Sequence, residues 1–103
     1  MTRTLRLPNA ADLAPGAMKV FEEGGLRIAL WNVGGTYYAT GGSCTHRGAT
    51  LEASTLDGFI ATCGWHGSKF DVRTGVSVSE RPPRPLPSYP CRVLGADVEV
   101  DIP

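Results

Sequence analysis

The 103-residue sequence lacks several features that mark common classes of protein. Ten Lys and Arg balance ten Asp and Glu, so no charge surplus points to a nucleic-acid partner. No apolar run is long enough to cross a bilayer, and the first residues, Met1 to Arg6, lead into no apolar signal-peptide core. Almost no helical period is present. We therefore expect one small domain, residues 1–103, with neither nucleic acid nor a membrane as partner.

Cysteine and histidine are scarce, with three of the first and two of the second. An odd number of cysteines offers no framework of paired disulfides, which predicts a cytoplasmic protein whose thiols stay reduced. Cys91 lies in a strand-like run without a companion ligand and is predicted to be a structural thiol. The other two cysteines and both histidines fall in two short segments, Cys44-Thr45-His46 and Cys63-Gly64-Trp65-His66.

These two segments form the pattern C-x-H-x16-C-x2-H, in which each half offers one thiolate and one imidazole. Such donors suit zinc, copper or iron–sulfur chemistry. Structural zinc favours tetrahedral sites of this composition, but it usually pairs Cys with Cys and His with His. Here each half mixes the two types, and the first has a single spacer residue. A zinc-stabilised interaction module without a redox role stays open as the less favoured alternative.

Short alternating segments separated by Gly and Pro predict an all-β protein, an antiparallel sandwich or small barrel. The strand from Leu26 to Val33 places Leu26, Ile28 and Leu30 on one face, and Gly34-Gly35 indicates a hairpin. Both Cys/His segments fall in loops between strands. Further strands are predicted at residues 4–7, 17–21, 36–40, 58–62, 69–72, 76–78, 89–94 and 97–102, with one helical turn at 9–14, a polar connection after residue 51 and a proline-rich surface loop at 81–87.

The two segments resemble the cluster-binding boxes of the Rieske family of iron–sulfur proteins. Cys44-Thr45-His46-Arg47-Gly48 and Cys63-x-x-His66-Gly67-Ser68 match the two boxes, and Phe70-Asp71-x-x-Thr74-Gly75 matches the segment that follows. The resemblance covers roughly the whole chain. It implies a single Rieske-type sandwich with a two-loop cluster-binding tip, the loops lying at about 43–51 and 63–69. Pro82–Pro87 would cover the third side of the tip.

A Rieske centre is a 2Fe–2S cluster in which two Cys hold one iron and two His hold the other. The resemblance therefore implies that four side chains bind one such cluster: Cys44, His46, Cys63 and His66. Around them it places Gly48, Trp65, Gly67 and Ser68, with the Ser68 hydroxyl donating to a cluster sulfur. Phe70 stands where respiratory relatives have a second hydroxyl donor, a tyrosine. We therefore expect a reduction potential in the low half of the Rieske range.

The resemblance implies a soluble one-electron carrier that is not itself an enzyme and has no catalytic residues. A flavin- and NAD(P)H-dependent reductase would be its donor, and a terminal Rieske oxygenase, such as a ring-hydroxylating dioxygenase, its acceptor. Both would dock transiently at the cluster tip, where Arg47 and Lys69 flank the ligands, and a monomer is expected. The alternative within the family is a Rieske-like small subunit of a nitrite reductase, although such subunits often lack the four ligands.

Overall fold

The computed structural model describes residues 3–42, 54–62, 69–78 and 86–102. Within these ranges the chain forms short strands and a single 3-10 turn, Ala10–Asp12. The strands are β1 (Arg3–Leu7), β2 (Met18–Glu23), β3 (Leu26–Val33), β4 (Thr36–Gly41), β5 (Thr55–Asp57), β6 (Ile60–Thr62), β7 (Lys69–Asp71), β8 (Ser88–Tyr89), β9 (Cys91–Leu94) and β10 (Asp97–Ile102).

The strands form three antiparallel sheets, and the predicted all-β antiparallel class is confirmed. The first sheet has the order β1-β10-β9, the second β2-β3-β4-β8, and the third β5-β6-β7. No helix in the described ranges is long and apolar enough to cross a membrane. The three sheets pack as layers, because the four-stranded sheet contributes to two separate apolar cores.

Strand β3 contributes to both cores and shows why the molecule has three layers. Ile28 and Leu30 pack with Val98 and Val100 of the first sheet. Ala29 and Trp31, on the opposite face of β3, pack with residues of the third sheet. The predicted bounds of this strand and the common face of Leu26, Ile28 and Leu30 are confirmed. The other face is buried as well, because the sheet is covered on both sides.

Glycine pairs close the hairpins around β3, as the sequence predicts for Gly34-Gly35. These two glycines have φ of 61° and 96°, positive at both positions as a type I′ turn requires. The buried Asn32 supports the turn, since its Oδ1 accepts the N–H of Gly35 at 2.8 Å. On the other side β2 ends at Glu23, two residues beyond the predicted strand at 17–21, so the turn there is Gly24-Gly25.

Two segments differ more from prediction. The polar connection after residue 51 contains the short strand β5, and Gly58-Phe59 forms its turn into β6, where a strand was predicted from Gly58. The predicted strand 76–78 pairs at a single bridge, between Ser77 and Phe70. A three-residue strand is too short to give a sequence signal of its own; β5 is stabilised by pairing with β6.

Candidate metal centre

The predicted ligands lie outside the described residues, and so do the residues predicted around them. This applies to Cys44, His46, Gly48, Cys63, Trp65, His66, Gly67 and Ser68, and also to Arg47. The structure does describe the strand ends to which the two predicted ligand loops are joined. These strand ends decide whether the two loops can meet.

The third sheet brings the attachment points of both loops to one end. Thr55 of β5 is paired with Thr62 of β6, and Thr62 is paired in turn with Lys69 of β7. Residues 43–53 lead into β5, and residues 63–68 connect β6 to β7. The first loop therefore ends at this sheet, and the second loop both starts and ends there. All three of these loop ends are next to a single row of paired residues. We refer to Thr55, Thr62 and Lys69 as the attachment row.

The proline-rich segment also starts at this row. The N–H of Val78 donates to the carbonyl of Lys69 at 2.9 Å, and the Ser77 hydroxyl donates to the same oxygen at 3.3 Å. Val78 is the last described residue before the proline-rich stretch. Of the predicted surface loop at 81–87, residues 81–85 lie outside the described residues, and so does most of the segment Pro82–Pro87 that was expected to cover the tip. Leu86 is 2 % exposed and belongs to a core, so the surface assignment is wrong for this residue.

The start of the first loop is held at two consecutive glycines. Gly41 donates its N–H to the carbonyl of Pro87 at 2.9 Å, and Gly42 donates to the carbonyl of Arg27 at 2.8 Å. A Cβ on Gly42 would lie 3.0 Å from the backbone of Arg27, so a side chain there would push the strands apart. Arg27 pairs with Glu22 at 3.3 Å across the β2–β3 hairpin. The chain thus enters residues 43–53 from a fixed point.

A buried hydrogen-bond relay lies beneath this point. The indole Nε1–H of Trp31 donates to the Thr40 hydroxyl at 2.9 Å, and that hydroxyl donates to the carbonyl of Gly41 at 3.0 Å. Trp31 and Thr40 are both fully buried. The relay therefore satisfies two buried polar side chains and ties the end of β4 to the core. Sequence reasoning missed Thr40, because a threonine in a strand is ordinary and gives no functional signal.

Phe70 lies just beyond the attachment row and is 1 % exposed. It packs in the core between the second and third sheets, with Ala61, Val72 and Leu86. Its neighbour Asp71 accepts the guanidinium of Arg73 at 2.8 Å, and this hydrogen bond lowers the pKa of the Asp71 carboxyl. Arg73 in turn lies over the Phe59 ring, 4.1 Å from its centroid. These contacts fix the end of the third sheet opposite the attachment row.

The described residues offer no rival metal site. Within the ranges that the structure covers, no group of three or more His, Cys, Asp or Glu could hold a metal ion. Cys91 is half-buried and free, and its thiol lies 3.4 Å from the carbonyl of Tyr37 as a donor. Burial raises the pKa of this thiol, which therefore suits a structural role, as predicted. The donors that fit a two-iron centre are the two thiols and two imidazoles of the Cys/His segments.

An antiparallel protein in which both candidate ligand loops join one end of the third sheet fits a small metal-carrying domain. The sequence matches the Rieske [2Fe-2S] domain family over residues 4–90, and the chain belongs to this family. Its cofactor is accordingly a 2Fe–2S cluster, as predicted from the resemblance, and the zinc alternative has no support.

Curated relatives narrow the class further. The chain is 37% identical to the biphenyl 2,3-dioxygenase ferredoxin component of Rhodococcus jostii, over 94% of this chain and 91% of that protein. It is 40% identical to the biphenyl dioxygenase ferredoxin subunit of Pseudomonas sp. KKS102, over 87% of this chain and 84% of the relative. These relatives confirm the predicted class, a Rieske-type ferredoxin that is an electron carrier and not itself an enzyme.

Solved structures of Rieske-type ferredoxins match the fold of this chain. The Sphingomonas yanoikuyae B1 ferredoxin matches with a TM-score of 0.86 and 31% identity, over 98% of this chain and 100% of that one. A chain in the complex of reduced oxygenase and oxidized ferredoxin in carbazole 1,9a-dioxygenase matches with a TM-score of 0.85 and 35% identity, over 94% and 91%. A putative nitrite reductase small subunit from Mycobacterium tuberculosis reaches 0.85 at 19% identity, over 100% and 97%, which shows a shared fold alone.

Proposed function

We propose that this chain is the ferredoxin component of a dioxygenase system that acts on aromatic compounds. It takes one electron from a flavin- and NAD(P)H-dependent reductase and passes it to a terminal Rieske oxygenase, in the cytoplasm. The names of its relatives support this, because they include ferredoxin components of biphenyl, p-cumate and carbazole systems. The ferredoxin–oxygenase complex among the matching structures supports an oxygenase as the acceptor.

We further propose that Cys44 and Cys63 bind one iron and that His46 and His66 bind the other. The attachment row carries this proposal, since Thr55, Thr62 and Lys69 place the ends of both ligand loops on neighbouring strands. Two loops that are both joined to one end of the third sheet can approach the same small cluster from two sides. Gly48, Trp65, Gly67 and Ser68 would then line the cluster as the resemblance implies.

The bound cluster supplies a reversible one-electron couple. The two thiolates cancel the two positive charges of the oxidised core, and the neutral imidazoles add none, so the site gains one negative charge on reduction. An all-cysteine site would start two charges more negative and would resist the electron more strongly. This difference accounts for Rieske potentials of about −150 to +300 mV, against about −400 mV for plant-type ferredoxins.

The β scaffold holds the ligand loops in place during electron transfer. Strand pairing holds the three residues of the attachment row together, and the Trp31–Thr40 relay holds the end of β4, where the first loop begins. A carrier that moves little on reduction loses little energy to reorganisation. The surface beside the row offers the exposed Val78 and Lys69, a small mixed patch of the kind that weak electron-transfer encounters use.

Reconstitution tests the proposed function. The purified ferredoxin is combined with a flavoprotein reductase, NADH and the oxygenase encoded nearest to it, and product is measured as ferredoxin is omitted or restored. We expect turnover to depend on ferredoxin, and to be lost in His66→Cys, which keeps a ligand but changes its charge. Turnover without ferredoxin would contradict the proposal, as would co-purification of this chain in a stable complex with a nitrite reductase large subunit.

A further inference from the structure

The two proposed ligand loops are joined to the sheets differently. The first runs from β4 of the four-stranded sheet to β5 of the three-stranded sheet, and its proposed ligands Cys44 and His46 come soon after β4. The second lies between β6 and β7 of the three-stranded sheet. In mixed ligation each loop gives one ligand to each iron. The placement of β4 against the three-stranded sheet therefore sets where the start of the first loop, with Cys44 and His46, lies relative to the second loop. This inference rests on the proposed ligands. It concerns the contacts that hold β4 against the three-stranded sheet near the ligand loops.

Two consecutive residues, Leu86 and Pro87, are bonded to both sheets. The N–H of Leu86 donates to the carbonyl of Gly75, in the turn after β7, at 2.7 Å. The carbonyl of Pro87 accepts the N–H of Gly41, the last residue of β4, at 2.9 Å. A dipeptide thus connects the sheet that carries the second loop to the strand that starts the first. We name this pair the 86–87 clasp.

The side chain of Leu86 also lies between the two sheets. It is 2 % exposed and belongs to the core formed by Ala29 and Trp31 from β3 and by residues of the third sheet. Pro87 has no N–H of its own, so its carbonyl is the backbone group by which it holds Gly41. The clasp is therefore fixed by backbone bonds at both ends and by apolar burial between them.

Both glycines that meet the clasp are sites where a side chain does not fit. A Cβ on Gly75 would collide with the carbonyl oxygen of Leu86, which is backbone and cannot turn aside. A Cβ on Gly41 would lie 2.9 Å from Cδ of Pro87. The backbone approach at each end of the clasp thus depends on glycine. Plain packing of the core would need the Leu86 side chain but not these two close approaches.

We propose that the 86–87 clasp is a positioning element that sets the separation of the two ligand loops, and with it the reduction potential and retention of the cluster. Gly75 and Gly41 form the backbone hydrogen bonds at the two ends of the clasp, and the Leu86 side chain is buried in the core between the sheets. None of these residues is a proposed ligand. They act on the cluster through the strands. Gly75 lies in the turn after β7, which follows the second loop, and Gly41 is the last residue of β4, which precedes the first loop.

A matched pair of glycine substitutions tests this. Gly75 and Gly25 both have φ of +80°, so alanine strains the backbone alike at the two sites. A Cβ at Gly25 meets nothing within 4 Å, whereas at Gly75 it meets the clasp. We expect both variants to unfold at lower urea concentration than the unsubstituted chain. Only Gly75→Ala should shift the reduction potential, change the electron paramagnetic resonance (EPR) g values of the reduced protein and bleach several-fold faster in air.

A second variant covers the case in which Gly75→Ala fails to fold. Leu86→Ala, or Leu86→Val as a smaller change, loosens the clasp without strain at either glycine. It should also shift the potential, and it should speed amide hydrogen exchange at Gly41 relative to the rest of β4. Folded clasp variants with the potential, g values and bleaching rate of the unsubstituted chain would overturn the proposal. Failure of the proposed ligand set would show separately, as an unsubstituted chain without a mixed-ligand 2Fe–2S spectrum.

Discussion

Thr62 and Lys69 are direct register partners on β6 and β7, and the six residues between them form the second proposed cluster-binding box. Cys63 therefore follows a paired strand residue at once, and Ser68 precedes another. Because both ends of this loop are held by the same antiparallel strand pair, the proposed ligands Cys63 and His66 lie between two paired strand residues. Thr55, the partner of Thr62 on β5, gives the first loop the same frame at its end.

The hydrogen bond from Trp31 to Thr40 predicts that replacing Thr40 lowers the free energy of unfolding, and that the loss depends on whether Trp31 is present. Thr40→Val leaves the buried indole N–H of Trp31 without an acceptor, and an unsatisfied buried group costs about 1–3 kcal/mol. In a Trp31→Phe background that N–H is absent, so Thr40→Val should cost less. Urea unfolding of the four cluster-loaded proteins measures the coupling. Equal costs in both backgrounds would contradict the relay.

Phe70→Tyr tests the reason for the expected low potential. The resemblance places a hydroxyl donor here in respiratory relatives, and a donor to a cluster sulfur stabilises the more negative reduced state. We expect the potential, predicted to lie in the low half of about −150 to +300 mV, to rise in the variant. The ring is 1 % exposed, so a hydroxyl that finds no acceptor would cost about 1–3 kcal/mol. Lost stability with an unchanged potential would therefore contradict the prediction.

Val78→Glu tests whether the surface beside the attachment row contacts the redox partners. Val78 and Val93 are both 50% exposed, but Val93 lies on β9 of the first sheet, on the other side of the molecule's middle layer. We expect Val78→Glu to lower kcat/KM for ferredoxin in the reconstituted system by about tenfold, which corresponds to about 1.4 kcal/mol. Val93→Glu should change it less than twofold. Equal effects of the two substitutions would place the docking surface elsewhere.

Asp71→Asn should change the acid side of the stability profile. Its partner Arg73 lowers the pKa of Asp71 below the ordinary value of 3.8. The native state therefore gains stability from this carboxylate above that ordinary value and loses it as pH falls through the lowered pKa. Because Arg73 is half-exposed, the variant should be less stable by about 0.2–1 kcal/mol at pH 7. The difference should disappear in strong acid, and a constant difference from pH 7 down to 2 would refute it.

Local patterns predicted the local structure well. Leu26 to Val33 was predicted with its observed bounds because an alternating run is enclosed by glycine turns on both sides. The layer arrangement could not be predicted in the same way. The alternation of β3 is compatible with one buried face, and only the packing of two further sheets shows that Ala29 and Trp31 are buried too.

The candidate site, too, could be predicted from the sequence only in part. Donor type and spacing at Cys44, His46, Cys63 and His66 identify the family, because this chemistry depends on few residues. The residues that hold the loop ends gave no such signal. Leu86 stands between two prolines and has no periodicity to mark it as a core residue, and Gly75 is one glycine among thirteen. Their roles depend on contacts between segments far apart in sequence.

The EPR spectrum of the reduced protein, recorded with its metal content, tests the central claim most directly. We predict two iron atoms per chain, a rhombic 2Fe–2S signal with the g values of mixed ligation, and hyperfine coupling to two imidazole nitrogens. The coupling should fall to that of one nitrogen when either His46 or His66 is replaced by Cys, and should disappear when both are replaced. Zinc in place of iron, or the g values of an all-cysteine cluster without nitrogen coupling, would contradict it.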